Sequence, residues 1–172
     1  MIYIGVDPGK SGAWARIRTY PNGQVDVMVF PWDDAAFVDF MRDEPVEMEN
    51  IVAAVEKVGA MPHQGVASTF NFGTSYGYIQ GVLSACGIGY QLVPPAVWKR
   101  EFSLIGKDKR ASVDACKRLF PGVNLFPTEK CRKESDGMSD ALLICLYAKR
   151  HFGENGAGGR CDGHSQGMGY AK

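Results

Sequence analysis

Four acidic residues stand where apolar elements of this chain begin or end. Asp7 closes the run Ile2 to Val6, Glu56 closes the run Ile51 to Val55, and Asp136 and Asp140 open the segment Ala141 to Ala148. A carboxylate at the edge of a core is costly unless a cation or hydrogen bonds meet it. Four within a few ångströms of one another cannot all stay ionised without cations. Oxygen-only ligands select Mg²⁺ or Mn²⁺ over zinc. Two such ions about 3.5–4 Å apart are a recurrent device for in-line phosphodiester hydrolysis. If the fold brings Asp7, Glu56, Asp136 and Asp140 together, the set predicts an anionic pocket that Mg²⁺ or Mn²⁺ ions would fill. Each acid alone has a plainer reading. Asp7 can bond turn amides, and Asp136 and Asp140, four apart and so on one helical face, can complement a helix N-terminus.

The elements that must position these acids are legible in outline. Ile2 to Val6, Ala13 to Thr19 and Gln24 to Phe30 alternate or run apolar as strands do, and Tyr20-Pro21-Asn22-Gly23 carries the Asn-Gly hairpin signal. They predict an antiparallel three-strand meander. Asp33-Asp34 can cap a helix through Ala36, Phe37, Phe40 and Met41 that ends before Pro45. Ile51 to Val55 is apolar throughout, as a central strand covered on both faces requires. If the first and fourth strands lie side by side and parallel, their acidic ends meet, and a helix from Ser135 can pack across them. A helix over Ser68 to Cys86 carries Gly73, Gly77 and Gly81 on one face. Each glycine costs a helix about 1 kcal/mol against alanine, so the stripe predicts close approach of another backbone, in a second subunit by preference. Tyr90 to Val93 reads as a strand, Pro94-Pro95 opens a helical turn through Trp98, and a helix from Asp108 turns Val113, Cys116 and Phe120 inward.

Composition narrows the function classes. The 172 residues suit one domain over 1–152, followed by a tail over 153–172 with seven glycines, expected to be disordered. Five cysteines form no disulfide or zinc framework, and Cys161 with His164 offers only two ligands. No apolar stretch has membrane-spanning length and no secretory leader precedes the first strand, so a cytoplasmic protein with no membrane partner is expected, in a host's cytoplasm if phage-encoded. Gly9-Lys10-Ser11 imitates the tail of a phosphate-binding loop. Three residues separate Gly5 from Gly9, however, where that motif has four, and a strand follows, so no nucleotide cofactor is expected. Formal charge is zero but uneven. Asp33 to Glu49 holds seven acids against Arg42, a net of −6, and Lys99 to Arg118 holds seven bases against three acids, a net of +4. The basic stretch, including Lys99, Arg100, Lys107, Lys109 and Arg110, can follow a phosphate backbone.

Taken in order, Ile4-Gly5-Val6-Asp7-Pro8-Gly9, Val55-Glu56-Lys57, Phe70-Asn71-Phe72-Gly73, Pro94-x-x-x-Trp98-Lys99, Lys107-Asp108-Lys109 and Asp136-x-x-x-Asp140-Ala141-Leu142 resemble RuvC-type Holliday junction resolvases, nearest to compact phage-like members, over about Met1 to Arg150. The resemblance implies an α/β, RNase H-like fold with a mixed five-stranded sheet, the meander joined to parallel strands and flanked by helices. It implies a homodimer that cuts four-way DNA junctions, formed through the glycine-striped helix. It also implies that Asp7, Glu56, Asp136 and Asp140 are the catalytic acids that hold two Mg²⁺ or Mn²⁺ ions, that Lys107 and Lys109 are catalytic basic residues lying near the scissile phosphate, and that Phe70 and Phe72 lie where an aromatic props open the junction. One departure stands out, since bacterial members often space their last two acids more closely than Asp136 and Asp140. Rival readings are a same-fold nuclease for other branched DNA or RNA–DNA hybrids, a non-catalytic binder of branched DNA, and an actin-like ATPase, which would need a second such domain.

Overall fold

The computed structural model describes residues 1–43, 50–59 and 65–152. The acids Glu44, Glu47 and Glu49, residues 60–64, and the glycine-rich tail with Cys161 and His164 lie outside the described residues. Five strands, β1 (Ile2–Asp7), β2 (Ala13–Thr19), β3 (Val25–Pro31), β4 (Ile51–Glu56) and β5 (Gly89–Val93), form one sheet in the order β3-β2-β1-β4-β5. The meander β1-β2-β3 is antiparallel, and β4 and β5 add in parallel to β1. The hairpin between β2 and β3 closes through Tyr20 N to Gln24 O at 2.9 Å, with Gly23 at φ +83°. Only a residue without a Cβ takes that conformation cheaply.

Strand parity decides which side chains reach the site. Ile2, Ile4 and Val6 of β1 and Ile51, Ala53 and Val55 of β4 face one layer, with Phe37 and Met41 of α1 (Asp34–Asp43) and Ile79 and Leu83 of α2 (Val66–Ala85). Tyr3 and Ala54 face the other layer, with Trp98 of α3 (Pro95–Glu101), Val113 and Cys116 of α4 (Arg110–Leu119) and Leu142 to Cys145 of α5 (Asp136–His151). Successive strand residues alternate faces. Asp7 and Glu56 therefore fall on the side covered by α5. The register sets Val6 beside Val55, so the two acids leave adjacent parallel strands together.

Gly5 lets α5 lie directly on β1. A Cβ there would overlap the backbone nitrogen of Cys145 and the carbonyl oxygen of Ala141 and come within 2.6 Å of the Cys145 Cα. Cys116 and Cys145 behave as small hydrophobes, as expected of buried thiols. Cys145 Sγ donates to Tyr3 O at 3.0 Å, and burial pushes both thiols up, Cys116 to about 12.

Element boundaries move by a residue or two from the expected ones. α2 starts at Val66 and α4 at Arg110, after a turn in which Asp108 Oδ1 accepts from Ala111 N at 3.1 Å. Ala36 is exposed while Phe37 and Met41 carry the buried face of α1. Beyond the meander's alternation, Arg16 of β2 is buried, ion-paired with Asp26 of β3 and stacked on Phe40 at 5.6 Å. Among the described residues no helix is long and apolar enough to cross a membrane.

Candidate active site

Each acid is delivered by a different local device. Asp7 ends β1, and the chain reverses at once through Gly12 N to Gly9 O at 2.9 Å, with Gly9 at φ +139°. Glu56 ends β4, where its Oε1 accepts from the indole Nε1 of Trp98 at 3.0 Å. Trp98 is wholly buried on a helix that Pro94 and Pro95 start. Asp136 and Asp140 share the first turns of α5, whose N-cap Ser135 Oγ accepts from Met138 N at 3.2 Å.

The fold explains the wide spacing of the last two acids. At the closer spacing the first acid would fall on Gly137, which presses against the Ser11 carbonyl so that any Cβ would overlap it. The same Cβ position lies 3.3 Å from Asp7 Oδ2. No side chain fits there, and the acid one residue earlier clears the β1–β2 turn.

These elements enclose an open cavity of about 470 Å³ whose wall includes Asp7, Asp136, Asp140, Lys99, Lys107 and Lys109. Glu56 is not part of that wall, yet its charge acts on Asp7. Burial, then the charges of Glu56 and Asp140, hold the Asp7 carboxyl well above the usual carboxylate range, and Lys99 pulls it back only partly. Burial likewise raises Glu56 against the opposing Trp98 hydrogen bond and Lys99, and raises Asp140 to about 6. Asp136 differs. Burial pulls it upward, but the hydrogen bond and charge of Lys109, whose Nζ lies 3.0 Å from Asp136 Oδ2, together with Lys133, hold it below the usual range.

The donor set fits hard divalent cations. It is all oxygen, it is anionic, and Asp140 Oδ1 is buried without a hydrogen-bond partner. As the side chains stand, no group of three or more His, Cys, Asp or Glu among the described residues is arranged to hold a metal ion. The ion pair with Lys109 engages Asp136, so binding would have to draw that side chain away from the lysine.

The metal-free protein should lose stability as pH rises. Asp140 has a folded-state pKa near 6, above the ordinary 3.8, so the folded state binds more protons than the unfolded state between those values. Stability is then greatest below about pH 4 as far as this group is concerned and falls through about pH 6, by roughly 3 kcal/mol in all. Thermal melts in chelator at stepped pH should show this, and Asp140→Asn should flatten the slope.

The other expected site residues divide into three groups. Lys99 belongs with the carboxylates more than with an outer basic face, since its charge offsets Asp7, Glu56 and Asp140. Lys107 and Lys109 reach the cavity, while Arg100 is exposed outside its wall. Arg110 is engaged in ion pairs with Asp114 at 3.2 Å and Glu134 at 3.1 Å, Glu134 also meeting Lys117 at 2.9 Å. These pairs tie α4 to the start of α5. Phe70 is 73% exposed on α2, and Phe72 is half-buried, its ring 3.6 Å from where a Cβ on Gly9 would stand. Gly73, Gly77 and Gly81 face open space, with no atom within 4 Å of a Cβ at any of them.

Reading the residues one by one missed Trp98 as the partner of Glu56 and Ser112 as a hydroxyl beside Asp140. A tryptophan just inside a Pro-Pro helix start, with lysine after it, was the available signal for the first. Trp98→Phe keeps most of the packing and removes the donor. Groups that orient ligands typically matter about 10- to 100-fold. In Trp98→Phe we expect divalent-ion affinity to fall in that range, with about 1–2 kcal/mol lost in denaturant unfolding.

No protein-family model matches the sequence, and no curated protein matches it. Among solved structures the chain is similar to Thermus thermophilus RuvC in complex with Holliday junction substrate, at 14% identity and TM-score 0.57, covering 87% of this chain and 96% of that one. It is similar to the Thermus thermophilus RuvC structure at 16% identity and TM-score 0.55, with the same coverage. The yeast mitochondrial Holliday junction resolvase Ydc2 overlaps at 12% identity and TM-score 0.47, over 83% of this chain and 75% of that one. At these identities the likeness is one of fold, and the fold is the α/β, RNase H-like one with its mixed five-stranded sheet.

Proposed function

We propose that this chain is a divalent-ion-dependent endonuclease that resolves four-way DNA junctions. The observation that carries the reading is the meeting of Asp7, Asp136 and Asp140 with Lys99, Lys107 and Lys109 on one open cavity, Glu56 acting on Asp7 from beside it. The fold likeness to a RuvC described with Holliday junction substrate supports it.

Asp7, Glu56, Asp136 and Asp140 would hold the ions. Bound there, two Mg²⁺ or Mn²⁺ ions would activate water and offset charge at phosphorus and the leaving oxygen. Trp98 fixes one oxygen of Glu56, so that carboxylate is oriented before substrate arrives. Lys99, Lys107 and Lys109 offset the negative charge of the phosphoryl group, as cations preorganised around a reacting centre do. Phe70 and Phe72 meet the open centre of the junction, and Arg100 adds charge for the backbone. Arg110 supports the start of α5 more than it meets DNA, since acids already occupy its guanidinium.

Two sites facing one junction require two copies. The apolar α2 buries only Ile79 and Leu83 and leaves its glycine stripe open, and that stripe is the dimer surface in this reading. Gly77→Arg should give a monomer by sedimentation velocity, with single nicks replacing paired ones.

The test is incubation of labelled four-way junction, fork, flap and RNA–DNA hybrid with and without Mg²⁺. Paired, symmetric nicks in the junction that require Mg²⁺ are the expected result. Preferential cutting of hybrid or flap transfers the site to another substrate, and no cutting of any substrate overturns the reading.

A further inference from the structure

We infer that Ile105 is a specificity-determining residue that packs against the nucleotide beside the scissile phosphate and biases where the junction is cut. The inference rests on the nuclease reading and deepens it.

Ile105 lines the cavity that holds the carboxylates and is 56% exposed. Its neighbour Leu104, also on the wall, is buried, so Ile105 is the large apolar side chain that the cavity leaves open to solvent. The backbone holds it there. Leu104 N bonds Lys99 O at 2.8 Å and Lys107 N bonds Leu104 O at 3.1 Å, closing a tight turn with Ile105 at its tip and Gly106 at φ +72°. Ser103, at φ 56°, is the single non-glycine residue with positive φ among the described residues, and Ser103 N bonds Arg100 O at 3.1 Å. A β-branched side chain on such a turn has few rotamers and little freedom to retreat. Strained backbone of this kind persists where surroundings over-determine it, often at functional sites.

The turn also carries Lys107, whose charge suits a phosphate, whereas a branched alkyl group meets neither phosphate nor metal ion usefully. What it fits is the apolar face of a base stacked next to that phosphate. Shape selection of this kind discriminates modestly, at about tenfold for a methylene-sized difference.

The test compares cleavage rates of wild type, Ile105→Val and Ile105→Ala on four-way junctions that differ only in the base pairs flanking the branch point. Junction affinity in Ca²⁺ and thermal melts are measured alongside. The expected result is a wild-type preference among junctions that falls about tenfold in the alanine variant and less in the valine variant, with melting unchanged and affinity for the preferred junction falling no more than its cleavage rate. An active wild type without preference, an alanine variant with the wild-type ratios, or a uniform fall at every junction overturns the inference alone. A wild type that cuts no junction overturns the nuclease reading and this inference with it.

Discussion

Asp7→Asn and Asp140→Asn should each leave junction binding intact while Mg²⁺-dependent cleavage falls roughly 10³-fold or more, the scale on which removing one member of a cooperating catalytic set acts. The reason is positional. Asp7 leaves the end of β1 and Asp140 leaves the first turns of α5, and Gly137 brings the α5 backbone against the Asp7 turn with no intervening side chain. Asparagine keeps the shape and removes the charge that an ion would meet. Folding offers an independent readout. Burial and the neighbouring acids penalise the ionised Asp7, so the neutral variant should melt higher than wild type in chelator at neutral pH. Stopped-flow cleavage and melts on the same preparations separate a lost catalyst from a lost fold. Undiminished cutting by either variant would refute the assignment.

Gly5→Ala should be severely damaging for a single added methyl group. The added Cβ would overlap the backbone of α5 at Ala141 and Cys145, and helical backbone cannot step aside as a flexible side chain can. α5 would have to lift from the sheet, exposing a segment in which Ala141 to Cys145 are completely buried. A loss above about 4 kcal/mol is expected from overpacking with loss of core contact. That is a large share of the roughly 5–15 kcal/mol that holds a typical domain. Urea unfolding or, failing soluble protein, expression at reduced temperature followed by circular dichroism reads this out. Gly77→Ala is the internal contrast. Its Cβ meets nothing within 4 Å, so the isolated monomer should gain up to about 1 kcal/mol of helix stability.

These contrasts mark what the sequence could and could not carry. The acids at Asp7 and Glu56 were legible because an apolar run ending in a carboxylate is a local pattern, and the cap at Ser135 likewise needs only its own neighbours. The continuous apolar run of β4 marked a central strand, while its parallel pairing with β1 was only the arrangement under which the acids would meet. Contacts between distant segments were not legible. The Trp98–Glu56 hydrogen bond joins residues 42 apart, and nothing local distinguishes Lys99, which acts on three carboxylates, from Arg100, which lies outside the cavity wall. Nothing local announces that Arg110 pairs with Glu134, which lies in the loop before α5. Nothing local marks Gly5 or Gly137 either, since what forbids a side chain there is a backbone brought over by the fold.

Titration of Mn²⁺ into the metal-free chain, followed by calorimetry and thermal melts, asks whether these carboxylates form a divalent-ion site. Saturable binding that raises the melting temperature and is abolished in Asp140→Asn is the expected result. Equal melting temperatures with and without millimolar Mn²⁺, and heats no different from those of the Asp140→Asn variant, would contradict it.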